Sequence, residues 1–238
     1  MLYTAEVEGV LRRWLPSLKA LFEQYAGAEK AVHATALTPI EHMRRDLMSY
    51  TEYFNFVHHF DLLDATFTRR EAAVCFVRSR MAVVNELKSR TKLMQLSFVD
   101  FLEVLVRIAG AKALPTDDLL HSAYTSAAGS FVLFKKKHPD EYATFLSQHA
   151  EHRAASADEY GQPPARAVEK LLSLLATTVG TAARGGPATL SEPDCKEVGR
   201  KELGDFFELK GGYSLGRNRK ASAMPGKKAA SSLRHVRE

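Results

Sequence analysis

Four short segments place a hydroxyl residue three positions ahead of a carboxylate, and this pattern permits two kinds of chemistry. The pairs are Thr38 with Glu41, Ser49 with Glu52, Thr68 with Glu71, and Ser97 with Asp100. Side-chain oxygens could coordinate a hard cation such as Ca²⁺. They could instead form capping boxes, in which hydroxyl and carboxylate accept free N–H groups at a helix start. Apolar periodicity follows each pair, so we predict helix caps at Thr38, Ser49, Thr68 and Ser97.

Histidine and cysteine, which bind zinc or act in catalysis, are not grouped in a way that indicates a site. Zinc needs three or four convergent nitrogen or sulfur ligands. His58 and His59 are adjacent on one predicted helix and point about 100° apart. Cys75 lies in an apolar segment, where a buried core thiol is expected, and Cys195 has no evident histidine partner. We therefore predict no metal and no cofactor.

Motifs for acyl transfer and phosphate binding are missing from the sequence. It contains no GxSxG segment. The glycine pairs at 185–186 and 211–212 follow no predicted strand, so they are interpreted as linker glycines and not as a phosphate-binding loop. We predict no catalytic residues, and the protein is not expected to be an enzyme.

The elements that would position these residues are all predicted to be helices, because apolar residues recur at helical spacing. Pro16 is expected either to kink the first helix or to start a second one. Gly129 is expected to bend the amphipathic segment that Thr116 begins. The sequence thus predicts an all-α fold, with helices over residues 4–26, 49–61, 68–80, 97–109, 116–134, 140–152, 164–179 and 201–209, and one more helix that starts at Thr38.

Bulk properties match those of ordinary globular proteins. The chain has 238 residues, of which 45% are hydrophobic and 26% charged, as is typical of such proteins. No apolar run reaches the roughly 18 residues that span a bilayer. The first residues lack the basic and then apolar layout of a secretory signal, and two cysteines are too few for a disulfide framework. We expect a cytoplasmic protein.

Positive charge is concentrated at the end of the chain. Residues 210–238 hold eight Lys and Arg against one acid, for +7, so the net charge of +5 leaves −2 on residues 1–209. This composition predicts a disordered basic tail. Such a tail suits an acidic surface. Residues 217–237 hold no Phe, Trp or Tyr for base stacking, which argues against specific nucleic-acid binding. A purely solubilising role is the alternative. The predicted partner-binding residues are Arg217, Arg219, Lys220, Lys227, Lys228, Arg234 and Arg237.

The segment from Leu96 to Leu105 resembles the end of a calcium loop and the start of the next helix in the EF-hand superfamily. An apolar residue precedes Asp100 by four positions, and Phe-Leu-Glu follows it. A working loop has oxygen ligands at positions 1, 3, 5 and 12 and glycine at position 6. With Asp100 at position 12, the other four positions hold Ser89, Thr91, Leu93 and Met94. The resemblance therefore implies a degenerate hand, and calcium binding is not expected.

The resemblance extends over about residues 10–114. In this register, 49–60 is the second helix of one hand, and 68–80 and 97–109 are the two helices of the next. The pattern is similar to degenerate EF-hand-like proteins of cilia and flagella, and more distantly to the tubulin polymerisation-promoting family. This implies a scaffold protein that offers a hydrophobic groove to a partner helix. Tubulin, microtubules or axonemal proteins are the implied partners, and the cilium or flagellum the implied location.

Three regions follow from these patterns. We predict an EF-hand-like helical domain over 1–114, an appended helical region over 115–180, and a flexible, mostly disordered basic tail over 181–238. The predicted function is a non-enzymatic structural or protein-interaction role in the ciliary or flagellar cytoskeleton. A calcium-responsive regulator and a polyanion-binding module for RNA or membranes are the alternatives.

Overall fold

In the computed structural model, the described part of the chain is helical, as predicted. It comprises residues 4–26, 47–80, 93–149, 152, 161–185, 194 and 197–211, and within these ranges the only β-type pairing is an isolated bridge. Its helices are α1 (Ala5–Arg13), α2 (Leu15–Tyr25), α3 (Tyr50–His59), α4 (Arg69–Ser79), α5 (Phe98–Ala111), α6 (Asp117–Ser122), α7 (Ala128–Lys137), α8 (Pro139–Gln148), α9 (Pro164–Arg184) and α10 (Arg200–Leu209).

The first predicted helix is two helices. α1 ends at Arg13, and α2 starts at Leu15 with Pro16 in its first turn. Proline is tolerated there because the first N–H groups of a helix have no intrahelical acceptor. Of the two possibilities left open by the sequence, the structure has the second helix and not a kink.

A single core joins regions that the sequence divided at residue 114. α9 packs against α1, α5, α7 and α10, and α10 also packs against α2. Its 21 residues bury a continuous apolar face, and each fully buried leucine or valine contributes about 1.5–3 kcal/mol. The shared core includes Val10, Leu18, Phe56, Phe101, Leu105, Leu171, Leu175 and Phe206. The boundary at 114 therefore does not separate two cores.

The amphipathic segment after Thr116 is broken where the sequence predicted one bent helix. α6 ends at Ser122, and Tyr124 adopts a left-handed backbone conformation with φ of 53°. Its side chain is 96% exposed, although Tyr124 lies at a position of the apolar spacing of this segment. The N–H of Thr125 donates to the carbonyl of Leu120 and closes the turn. α7 then starts afresh at Ala128.

A small second cluster lies beside the main core. It is formed by Leu119, Leu120, Ala128 and Phe131, and the rings of Tyr142 and Phe145 from α8 pack against it. α8 has no fully buried residue, so its Tyr142 and Phe145 cover this cluster and do not enter the main core.

The packed body extends beyond residue 180, where the sequence placed the start of the tail. α9 continues to Arg184 and ends at Gly185, whose φ of 68° suits glycine. α10 buries Leu203, Phe206 and Phe207, because the rings of the two phenylalanines pack against Phe60 and Tyr25. Residues 197–211 therefore belong to the folded body.

Candidate functional site

Two helix starts with the predicted capping pattern lie side by side. The main chains of Met48 and Leu96 form an antiparallel bridge with two N–H···O distances of 2.8 Å. Ser49 and Ser97 follow directly and begin α3 and α5. The bridge thus joins the segments that the proposed register treats as the ends of two successive loops.

Both carboxylates at these starts are used as helix caps. Glu52 accepts the N–H of Ser49 at 2.7 Å, and the Ser49 hydroxyl accepts the N–H of Glu52 at 3.2 Å. Asp100 accepts both the N–H and the hydroxyl of Ser97 at 2.8 Å. Glu52 and Asp100 are buried, so these bonds satisfy groups that would otherwise be costly to bury.

The start of α4 repeats this arrangement at the surface. Glu71 accepts the N–H and the hydroxyl of Thr68, each at 2.5 Å. These hydrogen bonds lower the pKa of Glu71, since they stabilise its charged form. The fourth predicted cap, Thr38, lies outside the described residues, as do the tail residues Arg217, Arg219, Lys220, Lys227, Lys228, Arg234 and Arg237.

Two histidines of the described residues form hydrogen bonds within the protein. Nδ1 of His59 lies 3.0 Å from the Tyr25 hydroxyl in the core, and burial lowers the pKa of His59 to about 4. Nε2 of His152 lies 2.8 Å from the Ser122 hydroxyl. Within the described ranges, no three His, Cys, Asp or Glu side chains are grouped so that they could hold a metal ion.

The thiol of Cys75 is buried in α4. Burial raises its pKa to about 11, which keeps the thiol protonated near neutral pH and therefore a poor nucleophile. The core role expected from the sequence agrees with this environment. Cys195 lies outside the described residues.

The apolar faces of α2 and α5 are covered by other helices in the described body. α2 and α5 pack against the chain's own α10 and α9. The ring centroids of Tyr25 and Phe207 are 5.3 Å apart, in an edge-to-face arrangement. Helices of the same chain therefore cover these apolar faces of α2 and α5.

A different exposed surface lies on α4. Val74 and Val77 are 41% and 52% exposed, and Arg70 and Arg78 flank them at helical spacing. Arg70, Val74 and Arg78, with part of α5, line a depression of about 380 Å³ that also includes Glu71 and Arg107. We call Arg70, Val74, Val77 and Arg78 the α4 face. Its combination of exposed valines and arginines suits an acidic partner with apolar side chains.

Sequence reasoning missed a polar cluster centred on Asp194. Its carboxylate accepts the N–H groups of Gly129 and Ser130 at 2.8 and 2.9 Å. It also accepts the hydroxyls of Ser173 and Thr177 from α9. The cluster caps α7, whose own Ala127 has no side-chain acceptor. The spacing of Ser173 and Thr177, four apart in an apolar helix, was the available signal.

An ion pair between a buried lysine and a partly exposed aspartate was also missed. The Lys112 ammonium contacts the carboxylate of Asp64 and donates to the carbonyl of Leu62 at 2.9 Å. The hydrogen bonds from Lys112 and Thr66 overcome the effect of burial and lower the pKa of Asp64 to about 2. Burial in turn lowers the pKa of Lys112. A lysine just after an apolar helix gives no sequence signal that its head group is buried.

Comparison of the chain with family models, with curated proteins and with solved structures gives no match. None of the helices in the described ranges has the length and hydropathy needed to cross a membrane.

Proposed function

We propose that the protein is a non-enzymatic interaction scaffold of the ciliary or flagellar microtubule cytoskeleton, built on a degenerate EF-hand pair that works without calcium. The observation that carries the proposal is the bridge between Met48 and Leu96. Met48 lies four residues before Glu52, and Leu96 lies four residues before Asp100. Paired hands have such a bridge between their loops, and the same spacing led to the resemblance in the sequence.

Calcium independence is supported by the state of the two carboxylates. Glu52 and Asp100 occupy the position that a working loop uses for its bidentate ligand, and here both serve as helix caps. The proposed ligand positions in the second loop hold only one carboxylate, Asp100. A hand of this kind keeps its architectural role and lacks the oxygen ligands of a metal site.

The scaffold role is supported by the surface of the body. α9 and α10 fill the internal apolar face, so a partner would use the outside of the molecule. The α4 face offers exposed valines between arginines, and the basic tail adds positive charge in the sequence. The α4 face could make apolar contacts with a microtubule. The basic tail would be attracted by the acidic surface of the microtubule.

Co-sedimentation with microtubules tests the proposal. We expect the full chain to pellet with microtubules at low salt, and the fraction bound to fall as salt screens the charges. A chain ending at residue 211 should bind more weakly. In either chain, Arg78→Glu should weaken microtubule binding because it reverses a charge on the α4 face. Lys19→Glu makes the same charge change on the exposed surface of α2 and should weaken binding less than Arg78→Glu does. No binding by the full chain at low salt would refute the microtubule assignment. Equal binding to RNA would favour the polyanion-binding alternative.

A further inference from the structure

A cavity of about 320 Å³ lies apart from the bridged helix starts and the α4 face. Its floor and walls come from the turn after α3, the segment after α5, and the helices α6 and α7. The apolar lining includes Pro115, Leu119, Phe131 and Val132. Pockets for small molecules are usually about 300–1,000 Å³ and mainly apolar, so this cavity has the size and lining for a small organic ligand.

Three lysines line the same cavity, and two carboxylates balance them. Lys112 pairs with Asp64, and Lys136 donates to the Asp61 carboxylate at 2.9 Å. Lys135 has no carboxylate partner in the described part of the chain; its ammonium lies 4.9 Å from the ring centroid of Tyr142. One of the three lysines at the cavity, the exposed Lys135, therefore carries a positive charge that no carboxylate of the described residues balances.

The Lys112 ammonium also has hydrogen-bonding capacity to spare. An ammonium group has three donors, and the described residues provide two acceptors for it, Asp64 and the carbonyl of Leu62. The side chain is 1% exposed and lines the cavity. A ligand oxygen in the cavity could therefore accept the third donor.

We propose that this cavity binds an amphipathic organic acid of the medium-chain fatty acid type. Its carboxylate would lie between Lys135 and Lys112, and its apolar chain would lie along Leu119, Phe131 and Val132. The carboxylate supplies the missing negative charge and an acceptor for the third donor of Lys112. The apolar walls disfavour a fully polar anion such as inorganic phosphate, because it would leave them without apolar contact and would lose its own hydration. This inference is independent of the proposed cytoskeletal function.

Titration calorimetry with sodium octanoate, on the full chain, tests the proposal. Saturable binding of one octanoate per chain is expected, with hexanoate weaker and acetate undetectable, because each methylene removed loses apolar contact. The uncharged alcohol of the same chain length, 1-octanol, should bind more weakly than octanoate. Acetate binding as tightly as octanoate, or 1-octanol binding equally well, would overturn the assignment to an amphipathic acid.

Variants locate the site. Lys135→Gln should weaken octanoate binding about fivefold, the effect of a partly exposed charge-assisted hydrogen bond. Lys137→Gln is the matched control: it removes the same charge from the same helix turn at an exposed position outside the cavity lining, and it should leave affinity unchanged. Val132→Thr keeps the side-chain shape and should also weaken binding. Absence of octanoate binding to the full chain, or equal loss in both lysine variants, would refute the proposal.

Discussion

Met48 and Leu96 exchange two main-chain hydrogen bonds of 2.8 Å, although 48 positions separate them in the sequence. Both side chains are fully buried. The bridge fixes the start of α3 beside the start of α5, and the capping residues Ser49 and Ser97 follow at once. The bridge thus brings together two helix starts whose carboxylates are committed to capping.

Calcium should therefore leave the stability of the protein unchanged. A ligand present at 100 times its dissociation constant raises the free energy of unfolding by about 2.7 kcal/mol, which a thermal melt resolves easily. We expect the same melting temperature in 1 mM CaCl₂ and in 1 mM EGTA, with MgCl₂ as the control for ionic effects. A rise in melting temperature specific to calcium would instead support the calcium-responsive alternative.

Gly129 is expected to be intolerant of a side chain. A Cβ there would lie 2.7 Å from the Ser173 carbonyl oxygen and 2.7 Å from the Thr177 hydroxyl. Gly129→Ala should lower the free energy of unfolding by about 1–3 kcal/mol through overpacking. Gly9→Ala is the control, since it is helical with open space around it, and should stabilise by up to about 1 kcal/mol. Urea unfolding measures both, and equal effects would contradict the close α7–α9 approach.

Removal of the two partners in the Lys112–Asp64 pair should have unequal effects. Asp64→Ala leaves a buried ammonium without its counter-ion, at a cost of about 2–3 kcal/mol after allowance for the partial exposure of Asp64. Lys112→Met keeps the apolar volume and leaves a carboxylate that water can reach, so its effect should stay below about 1 kcal/mol. Chemical denaturation at pH 7 compares them. A larger effect from Lys112→Met would contradict this account of the pair.

His59 should make stability fall with acid. Burial, with smaller effects from His58 and Lys210, lowers its pKa to about 4, against about 6.5 when unfolded. The unfolded chain therefore takes up a proton that the folded chain resists. Stability is fully present above pH 6.5, falls by up to about 1.4 kcal/mol per pH unit below it, and levels off near pH 4.

The slope of the free energy of unfolding between pH 7 and pH 4.5 checks this expectation. His59→Gln should flatten the slope relative to the unaltered protein, whereas His58→Gln, at the exposed neighbouring position, should leave it nearly unchanged. Identical slopes in all three proteins would show that another group governs the acid response.

α10 should be required for stability, while the residues after it should not. Phe206 is 2% exposed and its ring centroid lies 5.0 Å from that of Phe60, so Phe206→Ala should cost about 3–5 kcal/mol. Leu209→Ala, at a site 70% exposed, is the control and should have little effect. A chain ending at residue 211 should unfold at the same urea concentration as the full chain. A large loss of stability on that truncation would place part of the tail in the fold.

Much of the local structure could be predicted from the sequence. Helix starts at Ser49, Thr68 and Ser97 depend on residues three apart, and such interactions are independent of the rest of the fold. Apolar periodicity likewise located α5 and α9, because the side chains on one helix face recur every 3.6 residues. The break after α6 was missed because Tyr124 continues the apolar period while its backbone leaves the helix.

The long-range contacts were decided by the tertiary structure. No local pattern distinguishes Lys112, which is buried against Asp64, from an exposed lysine. The Asp194 carboxylate caps α7 from 65 residues away, and α10 packs on a core formed mostly by residues before 114. Sequence by itself determined the helices, their caps and the charge of the tail, since these arise from neighbouring residues. Only the fold decided which helix fills the apolar face and which charges share a cavity, since burial depends on residues distant in the chain.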